Sequence, residues 1–246
     1  MGGFSLIELL VVVAVILLLA RILMPALERS KEIAYGVQCA SNLHQIGVAC
    51  NVFAADNKGQ LPGNWLDNAN PNPFYRNWLC NTYNASGCEP TTTPMDGVLF
   101  PYLSNNKKIL LCPKRVINYG AGTEATSNGY NDYSILLAFS GAFTSKIRAE
   151  STHTCNGVTV KTPTPLIVEE SGAVYLNSSN REGGHGNNDQ VTHLHIGKGY
   201  YGAVDGSVHP FKQDTTCNLH SWSSVSPKGV SVDLGTNGGW GWWNTQ

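Results

Sequence analysis

Charge is scarce in this chain. Asp, Glu, Lys and Arg make up 13% of its 246 residues, about half the usual share of a soluble domain. The formal net charge is −1, which leaves no electrostatic footprint for nucleic acid or an acidic membrane surface. No two of the seven cysteines stand at the C-x-x-C spacing of a zinc site or a thioredoxin-type motif. No Gly-x-Gly-x-x-Gly fingerprint, P-loop or Gly-x-Ser-x-Gly elbow occurs in a suitable setting, so the common nucleotide and acyl-transfer signatures are missing. Small polar residues are plentiful instead: Gly alone accounts for 26 positions, and Asn, Ser and Thr crowd the chain beyond position 56. Such a composition suits an exported, loop-rich β structure better than a cytosolic enzyme. The length allows one domain with a proper core, or a compact domain with an appendage.

What is present in excess is one apolar run. Leu9 to Ala20 are twelve consecutive apolar residues, and only Ser5, Glu8, Arg21 and Pro25 interrupt the wider stretch Phe4–Leu27. As a helix those 24 residues span about 36 Å, enough for a bilayer core of about 30 Å. A secretory signal peptide would open on a basic region and end at a small-residue cleavage site. Neither is seen here, and the run continues into a polar helix. A plain anchor has no use for Glu8, because a carboxylate within lipid costs about 2.5–3.5 kcal/mol on insertion scales. An acid in such a place points to function.

The segment GFSLIELLVVVAVILLLARILMPA resembles the N-terminus of type IV prepilins. The resemblance implies cleavage between Gly3 and Phe4, N-methylation of Phe4, and a glutamate, Glu8, as fifth mature residue. Pro25 falls where these helices commonly carry a proline. The new amine at Phe4 would be largely cationic at neutral pH, and in the family the glutamate is thought to pair with the amine of a neighbouring subunit. Such pairing offsets the burial of both charges and selects one axial register. The alternative role for Glu8 is to stabilise the helix N-terminus at the membrane surface. Arg21, inside the apolar stretch, either snorkels to the interface or meets an acid of another subunit.

Beyond the apolar run, Leu27, Ile33, Val37, Leu43, Ile46, Cys50 and Phe53 recur at mostly three- to four-residue spacings, the stripe of a helix packed on a head. Asp56-Asn57-Lys58-Gly59 and Pro62 read as its stop. The expected organisation is a short leader at 1–3, a helix over 4–56 whose residues 4–27 are the transmembrane and polymerisation segment, and a β-rich head over 57–246. Within the head, 57–100 reads as a long loop. Strands are expected over Lys108–Leu111, Asp132–Phe139, Leu166–Glu169, Gly172–Leu176, Tyr200–Val204 and Val208–Phe211, making an antiparallel sheet on the helix. The fold class is therefore α+β.

Cys80 and Cys88 suit a small disulfide loop, and Cys155 and Cys217 are further candidates. Cys39 and Cys50 cannot bridge, since eleven helical residues hold them about 16 Å apart. A second resemblance covers both ends of the chain. CASNLHQIGVACNVFAADNKGQLP, the Cys-Pro-Lys at 112–114 and the H-x9-D-G formed by His195, Asp205 and Gly206 are similar to a large pilin-like group of environmental bacteria. That resemblance implies a Cys39–Cys112 disulfide, whose loop closure would contribute about 4 kcal/mol. Asp205-Gly206 reads as a two-residue hairpin turn that His195 could hydrogen-bond. The other reading is a metal site drawn from His193, His195 and Asp205, with His185, Asp189 and His209 nearby. Glu169 and Glu170 make a weak catalytic pair, because adjacent strand residues face opposite sides. The Trp-rich end, Trp240, Trp242 and Trp243, suits packing or an interface, or the binding of surface ligands.

The resemblances imply a structural pilin: a precursor in the bacterial inner membrane, processed by a prepilin peptidase and the pilus assembly machinery, then a homopolymeric extracellular filament. They imply no enzymatic activity, no cofactor, no metal and no nucleic acid. The alternatives are a type II secretion pseudopilin, an adhesive minor tip pilin, and a membrane-tethered binding or metal-dependent domain.

Overall fold

The computed structural model describes residues 5–63, 77–79, 97–117, 126–127, 131–136, 139–155, 158–169, 184–185, 194–211, 231–232 and 243–244. Helix α1 (Leu6–Asp56) takes 51 of them and is about 77 Å long at 1.5 Å per residue. Ser5 caps it. Ser5 Oγ accepts the Ile7 N–H at 3.3 Å, and the Glu8 carboxylate accepts the Ser5 N–H at 2.8 Å. This reciprocal capping satisfies backbone donors that a helix start leaves free. The helix runs through Pro25 and ends at Asp56, where the anticipated stop signal lies.

Burial along this rod is uneven. Every large apolar side chain from Leu6 to Leu27 is at least 46% exposed. Further on, Gly36, Cys39, Asn42, Leu43, Ile46, Gly47, Cys50 and Phe53 are buried, at the three- and four-residue steps of one helix face. The expected stripe began too early: Leu27, Ile33 and Val37 are exposed. Periodicity marks a face of a helix, but it does not say where the body that covers the face stops.

Among the described residues the first helical elements of the head are two 3-10 turns, Phe100–Leu103 and Lys107–Leu110. The second replaces the strand expected over Lys108–Leu111. Asn106 accepts the Lys108 N–H through its side chain at 3.1 Å, a local bond that turns the backbone where the apolar pattern alone suggests extension. Strands β1 (Val116–Ile117) and β2 (Thr126–Ser127) pair in parallel. The main sheet uses β3 (Tyr133–Leu136), β6 (Pro165–Glu169), β8 (Gly199–Ala203) and β9 (Val208–Phe211), all antiparallel, with β7 (Gly184–His185) added in parallel beside β3. Its order is β7-β3-β6-β8-β9. A separate hairpin, β4 (Glu150–Cys155) with β5 (Val158–Pro163), and a short pair, β10 (Ser231–Val232) with β11 (Trp243–Asn244), complete the described strands.

The fold class is α+β, with α1 lying across β6 and β8. Strands are present at the expected segments, as Tyr133–Leu136 for 132–139, Pro165–Glu169 for 166–169, Gly199–Ala203 for 200–204 and Val208–Phe211. Phe139 is already in a 3-10 turn, while Gly172–Leu176 lies outside the described residues. All residues of β3 and β6 are buried, and Leu43 and Ile46 of α1 join Ile135, Ile167, Val168 and Tyr201 in one core. Gly36 matters to the fit of helix on sheet. A Cβ there would stand 3.0 Å from Tyr200 Oη and 3.4 Å from His195 Cβ, so its lack of a side chain lets β8 and its leading turn lie against the helix.

Candidate functional site

Four side chains from four separate elements meet beneath the helix. Cys39 comes from α1, Cys112 follows the second 3-10 turn, Glu169 ends β6, and His195 belongs to the turn before β8. All four are buried, and their ligand-type atoms lie within 4.8 Å of one another. Cys39 Sγ and Cys112 Sγ are 3.0 Å apart. His195 Nε2 lies 3.2 Å from Glu169 Oε1 and 3.6 Å from Cys112 Sγ.

Each member is held from outside the cluster. Asp132 accepts the Cys112 N–H at 2.6 Å and pairs with Arg115 at 2.8 Å. Both side chains of that ion pair are 1% exposed. Burial opposes the charge on Arg115, but Asp132 and then Glu169 and Cys112 outweigh it, so the guanidinium stays cationic. Asn42, one turn from Cys39, donates to Tyr133 Oη and to the Leu111 carbonyl, each at 3.2 Å. Lys114 bridges Glu32 on α1 to the Leu194 carbonyl, tying the helix to the turn that carries His195. That turn is tight: His195 and Lys198 exchange backbone bonds of 3.0 and 3.2 Å, with Ile196 at φ +55° and Gly197 at φ +68°. Positive φ is an outlier for a β-branched residue, and Ile196 holds it where the neighbouring histidine has to enter the core.

The surroundings set the charges. Burial pushes His195 down, but its contacts with Cys112 and Glu169 prevail and raise it to about 9. The Cys112 thiol is pushed far above its usual range by Cys39 beside it and by burial. Burial likewise raises Tyr133 well above the tyrosine range. Within the cluster His195 therefore favours its charged form and the Cys112 thiol its neutral one. Glu169 Oε2 and His195 Nδ1 are buried with no hydrogen-bond partner among the described residues.

The structure distributes the anticipated residues differently from expectation. Cys39 and Cys112 are brought together, as the second resemblance implies, but both stand as free thiols, as does buried Cys50. Cys80, Cys88 and Cys217 lie outside the described residues, and Cys155 is described only as backbone of β4. Gly3 and Phe4 also lie outside them, as do His193, Asp189, Glu170 and Trp240. Trp242 lies outside as well, and His185 and Trp243 are placed only as strand backbone. Within the single chain Glu8 caps the helix start through the Ser5 N–H, and Arg21 is exposed on α1. His195 does not bond the Asp205-Gly206 turn. Its ring enters the core, and His44 of α1 meets the turn instead, with Nδ1 2.8 Å from the Gly206 carbonyl. Asn51 also donates to the Val204 carbonyl at 3.3 Å.

The turn itself holds three residues rather than two. Ala203 N–H bonds to Ser207 O at 2.8 Å and Gly206 N–H to Ala203 O at 3.0 Å, enclosing Val204-Asp205-Gly206 with Gly206 at φ +85°. Three-residue hairpins place glycine at this left-handed position. Asp205 accepts from Ser207 N–H and Oγ–H at 2.9 and 2.5 Å. Asp205 is therefore no partner of His195, and the metal trio His193, His195 and Asp205 is replaced by a different group around His195. In effect the H-x9-D-G element fastens β8 to α1 at both ends: His195 beside Cys39, and the Gly206 turn on His44 and Asn51.

Sequence reasoning passed over Glu169 as a partner of His195. The available signal was a lone acid closing the apolar strand Pro165–Glu169, where burial demands a partner. Compared with family models, with curated proteins and with solved structures, the chain matches none of them.

Proposed function

We propose that the chain is a type IV pilin-like subunit, cleaved after Gly3, methylated at Phe4 and polymerised through α1 into an extracellular filament. The observation that carries this reading is the exposed half of the rod. Its 18-residue apolar window has a mean hydropathy of 2.9, and none of that window is buried within the chain. A helix apolar all round, with its backbone bonds satisfied internally, is suited to a bilayer or to the centre of a bundle. By length and composition the segment is able to cross a membrane. The head buries only the far half, so the near half needs lipid first and neighbouring copies after assembly. Head-to-tail, helically related contacts then give an open filament. In that bundle Glu8 would exchange its own cap for the Phe4 amine of a neighbour. No chemical step is needed in this reading.

The test is electron cryo-microscopy of shear-released surface material from cells that carry the gene, with mass spectrometry of the N-terminal peptide. Filaments built of this chain, starting at N-methylated Phe4, are the expected result. A chain that stays in the membrane with Met1 intact and is absent from fibres would instead establish a membrane-tethered domain. Deleting the gene and scoring protein secretion separately from surface fibres distinguishes a pseudopilin from a pilin.

A further inference from the structure

We propose that Cys39, Cys112, Glu169 and His195 form a structural site for a zinc-class divalent cation that clamps the helix to the sheet. The inference does not rest on the filament reading; it concerns the head in any assembly. The donor set is two thiols, one imidazole and one carboxylate, converging from α1, the 112 turn, β6 and the turn before β8. Sulfur and imidazole donors in a four-membered set favour zinc over calcium or magnesium, which take oxygen shells.

The distances fit that coordination. With metal–ligand lengths of about 2.0–2.3 Å, a tetrahedral site has donor–donor edges of roughly 3.3–3.8 Å. His195 Nε2 to Glu169 Oε1 is 3.2 Å and to Cys112 Sγ is 3.6 Å. The sulfurs, at 3.0 Å, would open by roughly 0.7 Å, and the widest edge, no more than 4.8 Å, would close by about 1 Å. All four side chains are buried, so no ligand position opens to solvent, as in structural rather than catalytic zinc sites.

The cation also gives a place to the orphan atoms left in the core. Glu169 Oε2, buried and without a hydrogen-bond partner among the described residues, becomes available as a second carboxylate donor. With Nε2 on the metal, the ring proton sits on Nδ1, which has no hydrogen-bond partner among the described residues. Two thiolates and a carboxylate around a dication leave one net negative charge, and Arg115 is close enough to interact with both Glu169 and Cys112. Outer support is in place, since Asp132 holds the Cys112 backbone N–H at 2.6 Å.

The test uses the full-length chain in detergent, purified without chelator under anaerobic conditions and titrated with Zn²⁺ or Co²⁺ salts alone. The expected result is one metal per chain and a thiolate-to-cobalt absorption band. Cys39 and Cys112 should also be shielded from alkylation until a chelator is added. Cys39→Ser and His195→Ala should each weaken binding by about 100-fold or more, since losing even an outer partner costs about 10–100-fold. His195→Cys, which restores a donor, should recover most of the affinity. Should these variants fail to fold, the shielding of wild-type Cys39 and Cys112 decides alone. The proposal is overturned if the chain is isolated with Cys39 and Cys112 bridged. It is also overturned if the reduced chain binds Co²⁺ no more tightly than Cys39→Ser, or if metal leaves both thiols open to alkylation.

Discussion

The two halves of α1 share one hydrogen-bonded rod but live in different environments. The half before Glu32 exposes every large apolar side chain, while the half after it buries one face against the sheet. What differs between them is whether the head supplies a covering surface. The covered half also holds the polar equipment. Cys39, Asn42, His44 and Asn51 each reach a named partner in the head. In the uncovered half the only side-chain bonds among the described residues stay within the helix and its cap.

The strongest challenge to this division is Asp132→Ala. It strips the partner from buried Arg115, and leaving a buried charge unpaired costs about 3–5 kcal/mol. Thermal unfolding of the detergent-solubilised chain should show it, and Arg115→Met in the same chain should restore much of the loss. Next comes a matched pair on the rod. Leu43→Ala, in the covered half, should destabilise by about 2–5 kcal/mol through a cavity. Leu17→Ala, in the exposed half, should leave the melting of the head unmoved, and equal shifts would mean that the halves are not distinct. A smaller effect, about 1 kcal/mol, is expected for Gly206→Ala, because the turn holds φ at +85°. The smallest is acid-dependent. Hydrogen bonds from Ser207 hold the Asp205 carboxyl below its ordinary value. Its stabilising contribution is therefore present above the unfolded aspartate pKa of about 3.9 and lost as pH falls through the lower folded value. Asp205→Asn should remove that part of the acid limb in a pH series of melting curves.

Much of the architecture was legible in the residues. The apolar run, the Asp56-Asn57-Lys58-Gly59 stop and four of the sheet segments follow from pattern and turn chemistry. The β4–β5 hairpin was legible but unread: the sequence carries an Asn-Gly pair, a hairpin-turn signal, between two β-branched runs whose ends Cys155 and Val158 pair. The Lys108–Leu111 strand failed because the Asn106 side-chain cap decided the local backbone. The cluster was less legible. Cys39, Cys112, Glu169 and His195 are spread over more than 150 residues, and their meeting depends on sheet order, which no local spacing encodes. His195 was singled out for the turn it precedes, yet its ring goes to the opposite end of β8, to a carboxylate dismissed for its neighbour in sequence.

One consequence lies in the unbroken passage of α1 from its exposed half to its buried half. With no joint between Lys31 and Gly36, the rod acts as a keyed shaft. Whatever grips the first half sets the compass direction in which the head points. Each residue of a 3.6-fold helix turns the shaft by about 100° and lifts it by about 1.5 Å. Inserting a single alanine after Lys31 would therefore swing the whole head about a quarter turn while leaving both halves chemically intact.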